Sequence, residues 1–199
     1  MLRYNIQIAT EPDDTKSIVI ASSTRGEGRS TAALNLALSI AQDEKTVILV
    51  DADVLKPSLA NRLGLTPGPG LTDVVAGTEA LEDVIRDTSI PGLKFVGAGT
   101  ILSKAAEMLQ TDKVKEVHSK LREMADFVVF DTPPALSSVD AAIISSVADA
   151  AVYLAKLDVT PTQSLRRGTS LLRAAHARLV GIVFSDARGE VDPTLDMFN

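Results

Sequence analysis

The sequence predicts an α/β protein, a three-layer α/β/α sandwich around a mostly parallel central sheet. Short β-rich apolar runs alternate with longer helical patterns along all 199 residues, the rhythm of repeated βαβ units. Apolar residues make up 45% of the chain but aromatics only 4%, with no Trp. The core must therefore be built from Val, Ile, Leu and Ala, the palette of parallel strands covered on both faces by helices. The length suits one domain, residues 1–199, with a large core.

The first candidate strand is Ser17–Ser22 (SIVIAS), followed by a glycine-rich turn and a helical pattern over Ser30–Gln42. Thr46–Val50 (TVILV) is the second strand. A short helix, Pro57–Leu63, and the Pro/Gly cluster Thr66–Gly70 follow, and periodicity resumes over Leu71–Ala76. Leu93–Val96 (LKFV) is the third strand, with helix Ala105–Met124 after it. Phe127–Phe130 (FVVF), helix Val139–Ala148, Ala151–Ala155 (AVYLA), helix Thr162–Ala177 and Val180–Phe184 (VGIVF) complete the order. Crossovers are expected to be right-handed. Ligands of open α/β sheets bind beyond the carboxyl ends of the strands, so a functional residue should sit just after one of these runs.

Composition excludes several functions. A net charge of −6 gains nothing from counterion release, which argues against whole-chain nucleic-acid binding. With no cysteine there is no disulfide, thiolate catalysis or cysteine-held metal. No apolar run reaches the roughly 18–20 residues that span a bilayer, and the N-terminus is not a signal peptide. The expectation is a soluble, cytoplasmic chain without direct membrane insertion.

The first strand leads into Ser23-Thr24-Arg25-Gly26-Glu27-Gly28-Arg29-Ser30-Thr31 and then a helix. A phosphate-binding loop needs small residues so that successive amides converge on an anion, and a helix N-terminus whose dipole favours negative charge. Against G-x-x-x-x-G-K-[ST], Ser23 replaces the first Gly and Arg29 the Lys, while Ser30 keeps the hydroxyl expected on Mg²⁺. The segment therefore reads as a P-loop, with an ordinary glycine-rich turn as the alternative. Gly26, Glu27, Gly28, Arg29, Ser30 and Thr31 are its candidate nucleotide-binding residues.

The second strand ends in Asp51-Ala52-Asp53 and the fourth in Asp131-Thr132-Pro133-Pro134. Mg²⁺ in nucleotide sites uses one or two carboxylates beside phosphate oxygens, so an acid at a neighbouring strand tip is what the loop requires. The competing role for Asp51, Asp53 and Asp131 is to cap following helices, Asp53 being a candidate cap of Pro57–Leu63. Three acids at two strand tips, beside a glycine-rich turn, favour a nucleotide site. The fold class sharpens accordingly to P-loop NTPase-like.

At these residues the chain resembles the bacterial tyrosine kinases of capsule and exopolysaccharide synthesis, within the deviant-Walker ATPases that include MinD and ParA. GEGRST (Gly26–Thr31), NLALSIA (Asn35–Ala41), VILVDADVLKPSLANRLGL (Val47–Leu65), PGLTDVVAG (Pro69–Gly77), ADFVVFDTPP (Ala125–Pro134) and SVDA (Ser138–Ala141) carry the resemblance, in order and over nearly the whole chain. It implies ATP/ADP and Mg²⁺ as cofactors, with Ser30, Asp53 and Asp131 holding the metal. Asp51, Asp53 and Arg29 are implied as catalytic. It also implies a membrane-spanning polysaccharide co-polymerase as partner, location at the inner face of the cell membrane through that partner, and a homo-oligomer when an upstream segment is present.

Four departures qualify the resemblance. Arg29 puts a bulky planar guanidinium where a compact ammonium is expected, which should harm turnover more than binding. The only tyrosines are Tyr4 and Tyr153, so there is no C-terminal tyrosine cluster, and Tyr153 falls in a buried strand. Ser185 stands where an Asn often contacts the base, and the arginine-rich assembly helix lies upstream of LRYNI if anywhere. Two readings stay open: a kinase-like ATPase controlling polysaccharide polymerisation or export, and an inactive pseudokinase that senses nucleotide. A ParA/MinD-type positioning ATPase is disfavoured by Thr24, where those proteins carry a lysine. His118 and His176 read as packing or surface residues, and Arg166, Arg167, Arg173 and Arg178 as a solvated helix face. Arg25 reads as a possible contact to phosphate or to a neighbouring subunit.

Overall fold

The computed structural model describes residues 15–100 and 111–186. Tyr4, the start of the helix expected from Ala105 and the C-terminal segment from residue 187 lie outside them. Seven strands form one sheet: β1 (Ser17–Ser22), β2 (Val47–Asp51), β3 (Ile85–Asp87), β4 (Leu93–Val96), β5 (Phe127–Asp131), β6 (Ala150–Lys156) and β7 (Leu179–Ser185). Their order is β3-β4-β2-β5-β1-β6-β7. All pairs are parallel except β3 with β4, where Arg86 lies opposite Phe95.

The helices are α1 (Arg29–Ala41), α2 (Leu59–Arg62), α3 (Leu71–Ala76), α4 (Leu81–Val84), α5 (Thr111–Met124), α6 (Asp140–Val147) and α7 (Thr162–Ala174). Alternation along β1 divides the core in two. Ile18 and Ile20 pack with Leu36, Ile40 and Leu59 of α1 and α2, while Val19 and Ala21 pack with Leu71, Leu121, Ile144 and Leu172 of α3, α5, α6 and α7. This is the expected three-layer sandwich. The central strands are buried at every residue of β1 and β2, as sheets covered on both sides must be.

The short antiparallel edge strand β3 was not expected. Ile85 is its one apolar residue and none of the three is fully buried, so no hydrophobic run announces it. Expected helix Pro57–Leu63 is trimmed to Leu59–Arg62, because the chain before it is drawn onto two carboxylates described below. Helix α7 stops at Ala174 rather than Ala177, and His176 follows with a left-handed φ of 62°. Because all the parallel strands point the same way, the tips of β2, β5, β1 and β6 share one edge of the sheet.

Candidate functional site

The turn between β1 and α1 has the backbone a phosphate loop needs. Gly26 and Gly28 take φ of 83° and 94°, a region that side-chain-bearing residues rarely enter. No side chain caps α1, so its first-turn amides are open to an anion. They face a hollow of about 270 Å³ lined by Gly26–Thr31 and by Arg62 from α2.

Neighbouring strands hold this turn rigid. Glu27, 2% exposed, accepts from the Thr24 amide (3.0 Å) and hydroxyl (3.1 Å) and from the Thr160 hydroxyl (2.6 Å) in the turn after β6. Its carboxylate thus braces the loop from within, and only its backbone belongs to the phosphate cradle. Ser185, at the end of β7, donates to the Glu27 carbonyl (2.8 Å), so its hydroxyl buttresses the loop while the residue lines the larger cavity beside it. Ser23 shares a 3.1 Å hydrogen bond with the buried Tyr153 hydroxyl, which accounts for a serine at the first template position.

Arg29 is the residue that sets the site's electrostatics. Its side chain is 7% exposed and turns inward. Nε donates to Asp131 Oδ1 (3.1 Å), Nη2 to Asp53 Oδ2 (3.1 Å) and Nη1 to the Ser22 hydroxyl (2.7 Å). The guanidinium is thus a bridge between the tips of β1, β2 and β5, and the hollow beside it stays open. Burial pushes the Asp131 carboxyl up despite the opposing attraction of Arg29 and a hydrogen bond from Ser30. Asp131 Oδ2 is buried with no protein hydrogen-bond partner. Arg25, half exposed, reaches Asp53 Oδ2 only at 3.9 Å.

Asp51 behaves differently from the other two acids. Its oxygens accept from the amides of Ser58 (2.9 Å), Leu59 (3.0 Å) and Asp53 (3.3 Å). Of the candidate caps, Asp51 rather than Asp53 therefore takes the amides that open the helix after β2. Asp53 Oδ1 instead accepts from the Lys56 amide (3.1 Å) and closes the tight turn. Burial raises the Asp51 carboxyl to about 7, against the lowering effect of its amides and with some help from Asp131.

Beside the loop, on the β6–β7 side, opens a larger cavity of about 540 Å³ lined by Asn35, Ser39, Leu154, Lys156 and Val183 among others. Its apolar wall and few polar groups suit a nucleoside. Thr160, Ser22 and Arg62 were missed in the sequence. Thr160 does follow a strand closely, the one signal that could have marked it.

Other flagged residues stay outside the site. His118 is buried at the opposite end of β1, where its Nε2 meets the Ser17 hydroxyl (2.8 Å), itself bonded to Asp149. Burial lowers its pKa. His176, Arg166, Arg167, Arg173 and Arg178 are exposed.

A divalent cation can be tested against these donors. Ser30 and the unpartnered Asp131 oxygen are hard oxygen ligands of the kind Mg²⁺ takes alongside phosphate oxygens and water. They fit; Asp53 joins them only if Arg29 releases it.

A family profile described as an AAA domain matches residues 15–170. YwqD of Bacillus subtilis, a tyrosine-protein kinase, is 33% identical over 92% of this chain and 78% of its own length. The chain belongs to the bacterial tyrosine-protein kinase family. The tyrosine-protein kinase ptk of Acinetobacter johnsonii is 30% identical over 93% of the chain, which spans only 25% of that longer relative. The crystal structure of the chimerical protein CapA2B2 shares the fold with a TM-score of 0.85 and 30% identity, covering 92% of this chain and 80% of that one. The sandwich and its loop are accordingly those of a kinase-type P-loop NTPase.

Proposed function

We propose that this domain binds ATP or ADP with the polyphosphate on the Gly26–Thr31 amides, and that it serves as the cytoplasmic kinase-like domain of a polysaccharide polymerisation or export system. The observation that carries the nucleotide reading is the open amide hollow of α1, whose wall includes Arg29 bonded to Asp53 and Asp131 of the adjoining strand tips. The polysaccharide setting, and a membrane-spanning co-polymerase as partner, rest on the family resemblance.

In this reading the loop amides bind and orient the phosphates, Glu27 and Ser185 keep the loop from collapsing, and the β6–β7 cavity takes the nucleoside. Ser30 and Asp131 hold Mg²⁺, which when bound neutralises charge on the terminal phosphates. Asp53 and Asp51 are the proposed proton acceptors for an incoming tyrosine hydroxyl. Asp51, fully buried with both oxygens on backbone amides, would have to release those amides to take that proton. Asp53 is held back by Arg29, which spends its charge on the acids instead of the phosphates.

That geometry favours a second reading, a nucleotide-sensing pseudokinase. Calorimetric titration of ADP and ATP, with and without Mg²⁺, tests the shared claim on the wild type and on Arg29→Lys. Micromolar, Mg²⁺-enhanced binding is expected; heat equal to dilution for both proteins overturns it. Steady-state ATP consumption separates the readings. No turnover in the wild type but turnover in Arg29→Lys supports the pseudokinase, and an active wild type refutes it.

A further inference from the structure

Beyond the nucleotide site, the tips of β2 and β4 enclose a second, smaller cavity of about 60 Å³. A single water needs roughly 10–15 Å³ on this measure, so the space holds several waters or one small oxyanion. Asp51, Asn61, Gly68, Arg86, Gly97 and Gly99 are among its walls. Arg86 comes from the edge strand β3, and its guanidinium lies over the Phe95 ring at 5.4 Å. Nη1 donates to the Thr66 carbonyl (2.6 Å). Nε and Nη2 are buried and have no hydrogen-bond partner.

Those two nitrogens form one edge of the guanidinium, the fork that grips a carboxylate or phosphate with two parallel hydrogen bonds. Buried donors without acceptors are rare, and ionised ones cost the most, so an unfilled fork points to a missing acceptor. Among the described residues nothing nearby supplies it: Asp51 shares the cavity but has both oxygens on backbone amides. Gly97 flanks the fork closely, since a methyl there would touch Nη2 at 3.7 Å.

We propose that this cavity binds a single oxyanion, a phosphate group free or esterified, through Arg86 Nε and Nη2. In the strand order β3-β4-β2-β5-β1 it lies across the acidic tips from the phosphate loop, so it is a second anion site and does not depend on nucleotide binding.

The test is titration of inorganic phosphate, followed by calorimetry and ³¹P line width, into the full chain kept at saturating ADP so that the loop is filled. Wild type should bind phosphate, and Arg86→Gln should weaken that binding at least tenfold. Arg86→Lys, which keeps the charge but not the fork, should fall between. Equal phosphate affinity in wild type and Arg86→Gln overturns the site. Should Arg86→Gln fail to fold, Gly97→Ala keeps the guanidinium and crowds its fork. It should weaken phosphate several-fold, and unchanged affinity there refutes the proposal equally. Phenyl phosphate is the second arm: tighter binding than inorganic phosphate assigns the anion to an ester, and equal or weaker binding to the free ion. If ADP gives no heat beyond dilution, Arg86-dependent phosphate binding to the free protein leaves this site standing while the nucleotide reading falls.

Discussion

Replacing Arg29 by Met tests the bridge at the strand tips most directly. The change keeps the length and apolar stem of the side chain and deletes the guanidinium. Its three hydrogen bonds run 2.7–3.1 Å to Ser22, Asp53 and Asp131, and the two carboxylates are 5% and 1% exposed. Removing one partner of such a buried cluster leaves Asp131 with neither water nor counterion and Asp53 with only Arg25 at 3.9 Å, at about 3–5 kcal/mol. For a chain of this size that corresponds to a fall in melting temperature of roughly 10 °C. Urea unfolding without nucleotide at pH 7, followed by circular dichroism, measures it. The loss should shrink on acidification, because Asp131, already pushed up by burial, takes a proton and no longer needs the cation. Arg29→Lys should lose about half as much, since an ammonium cannot reach both acids and Ser22 in one geometry. A stability for Arg29→Met within about 0.5 kcal/mol of wild type would show that the guanidinium does not bridge the acids, and the electrostatic argument would fail with it.

Asp51 sets a pH dependence of stability. Its folded pKa, about 7, lies above the ordinary 3.8, so the folded state holds the proton longer. The stability it contributes is full below about pH 4 and is lost as pH rises through 7. At about 1.36 kcal/mol per pH unit the loss is on the order of 4 kcal/mol. Asp131 and Asp140 add slope of the same sign, so the measurement is the difference between wild type and Asp51→Asn, which should be flatter; parallel curves would exclude the assignment. At Gly168 on α7 an added methyl would overlap the Tyr153 hydroxyl. Gly168→Ala should therefore destabilise by about 1–3 kcal/mol, with partial recovery on adding Tyr153→Phe; thermal melts of the single and double variants decide. Because Arg29 is committed to the acids, the γ-phosphate gains little from it. ADP and ATP should bind within about threefold of each other, a gap of no more than about 0.7 kcal/mol. Arg29→Lys should favour ATP, as calorimetry of the two nucleotides will show.

The parts of the fold legible in the sequence were those written as buried runs. Ser17–Ser22 and Leu93–Val96 appear at the expected bounds because burial on both faces leaves them apolar throughout or nearly so. Other strands extend a residue or two further, to Asp51 and Asp131, because the ladder continues into the acidic tips. Ile85–Asp87 was illegible because an edge strand held by backbone pairing and one half-buried isoleucine carries no pattern. At the site, the loop and its acids were legible as strand-end residues. Their pairings were not. That Arg29 meets Ser22, Asp53 and Asp131, or that Thr160 braces Glu27, follows from β1 lying between β5 and β6, an order that spacing along the chain does not encode.

One residue therefore separates architecture from chemistry here. A phosphate loop needs converging amides and a rigid frame, and those come from Gly26, Gly28, Glu27 and Ser185, none of which requires the side chain at position 29. Transfer needs a mobile cation near the terminal phosphate and acids free to take metal and proton. On the proposed reading Arg29 meets the first need poorly, because its planar fork is engaged by two carboxylates. The same contacts let two acids lie buried side by side, and on the proposed reading they hold Asp53 back while the second oxygen of Asp131 is left without a partner. On the proposed reading a lysine at position 29 should lower the stability of the empty site and raise turnover of the filled one, and urea unfolding beside steady-state ATP consumption measures the two separately.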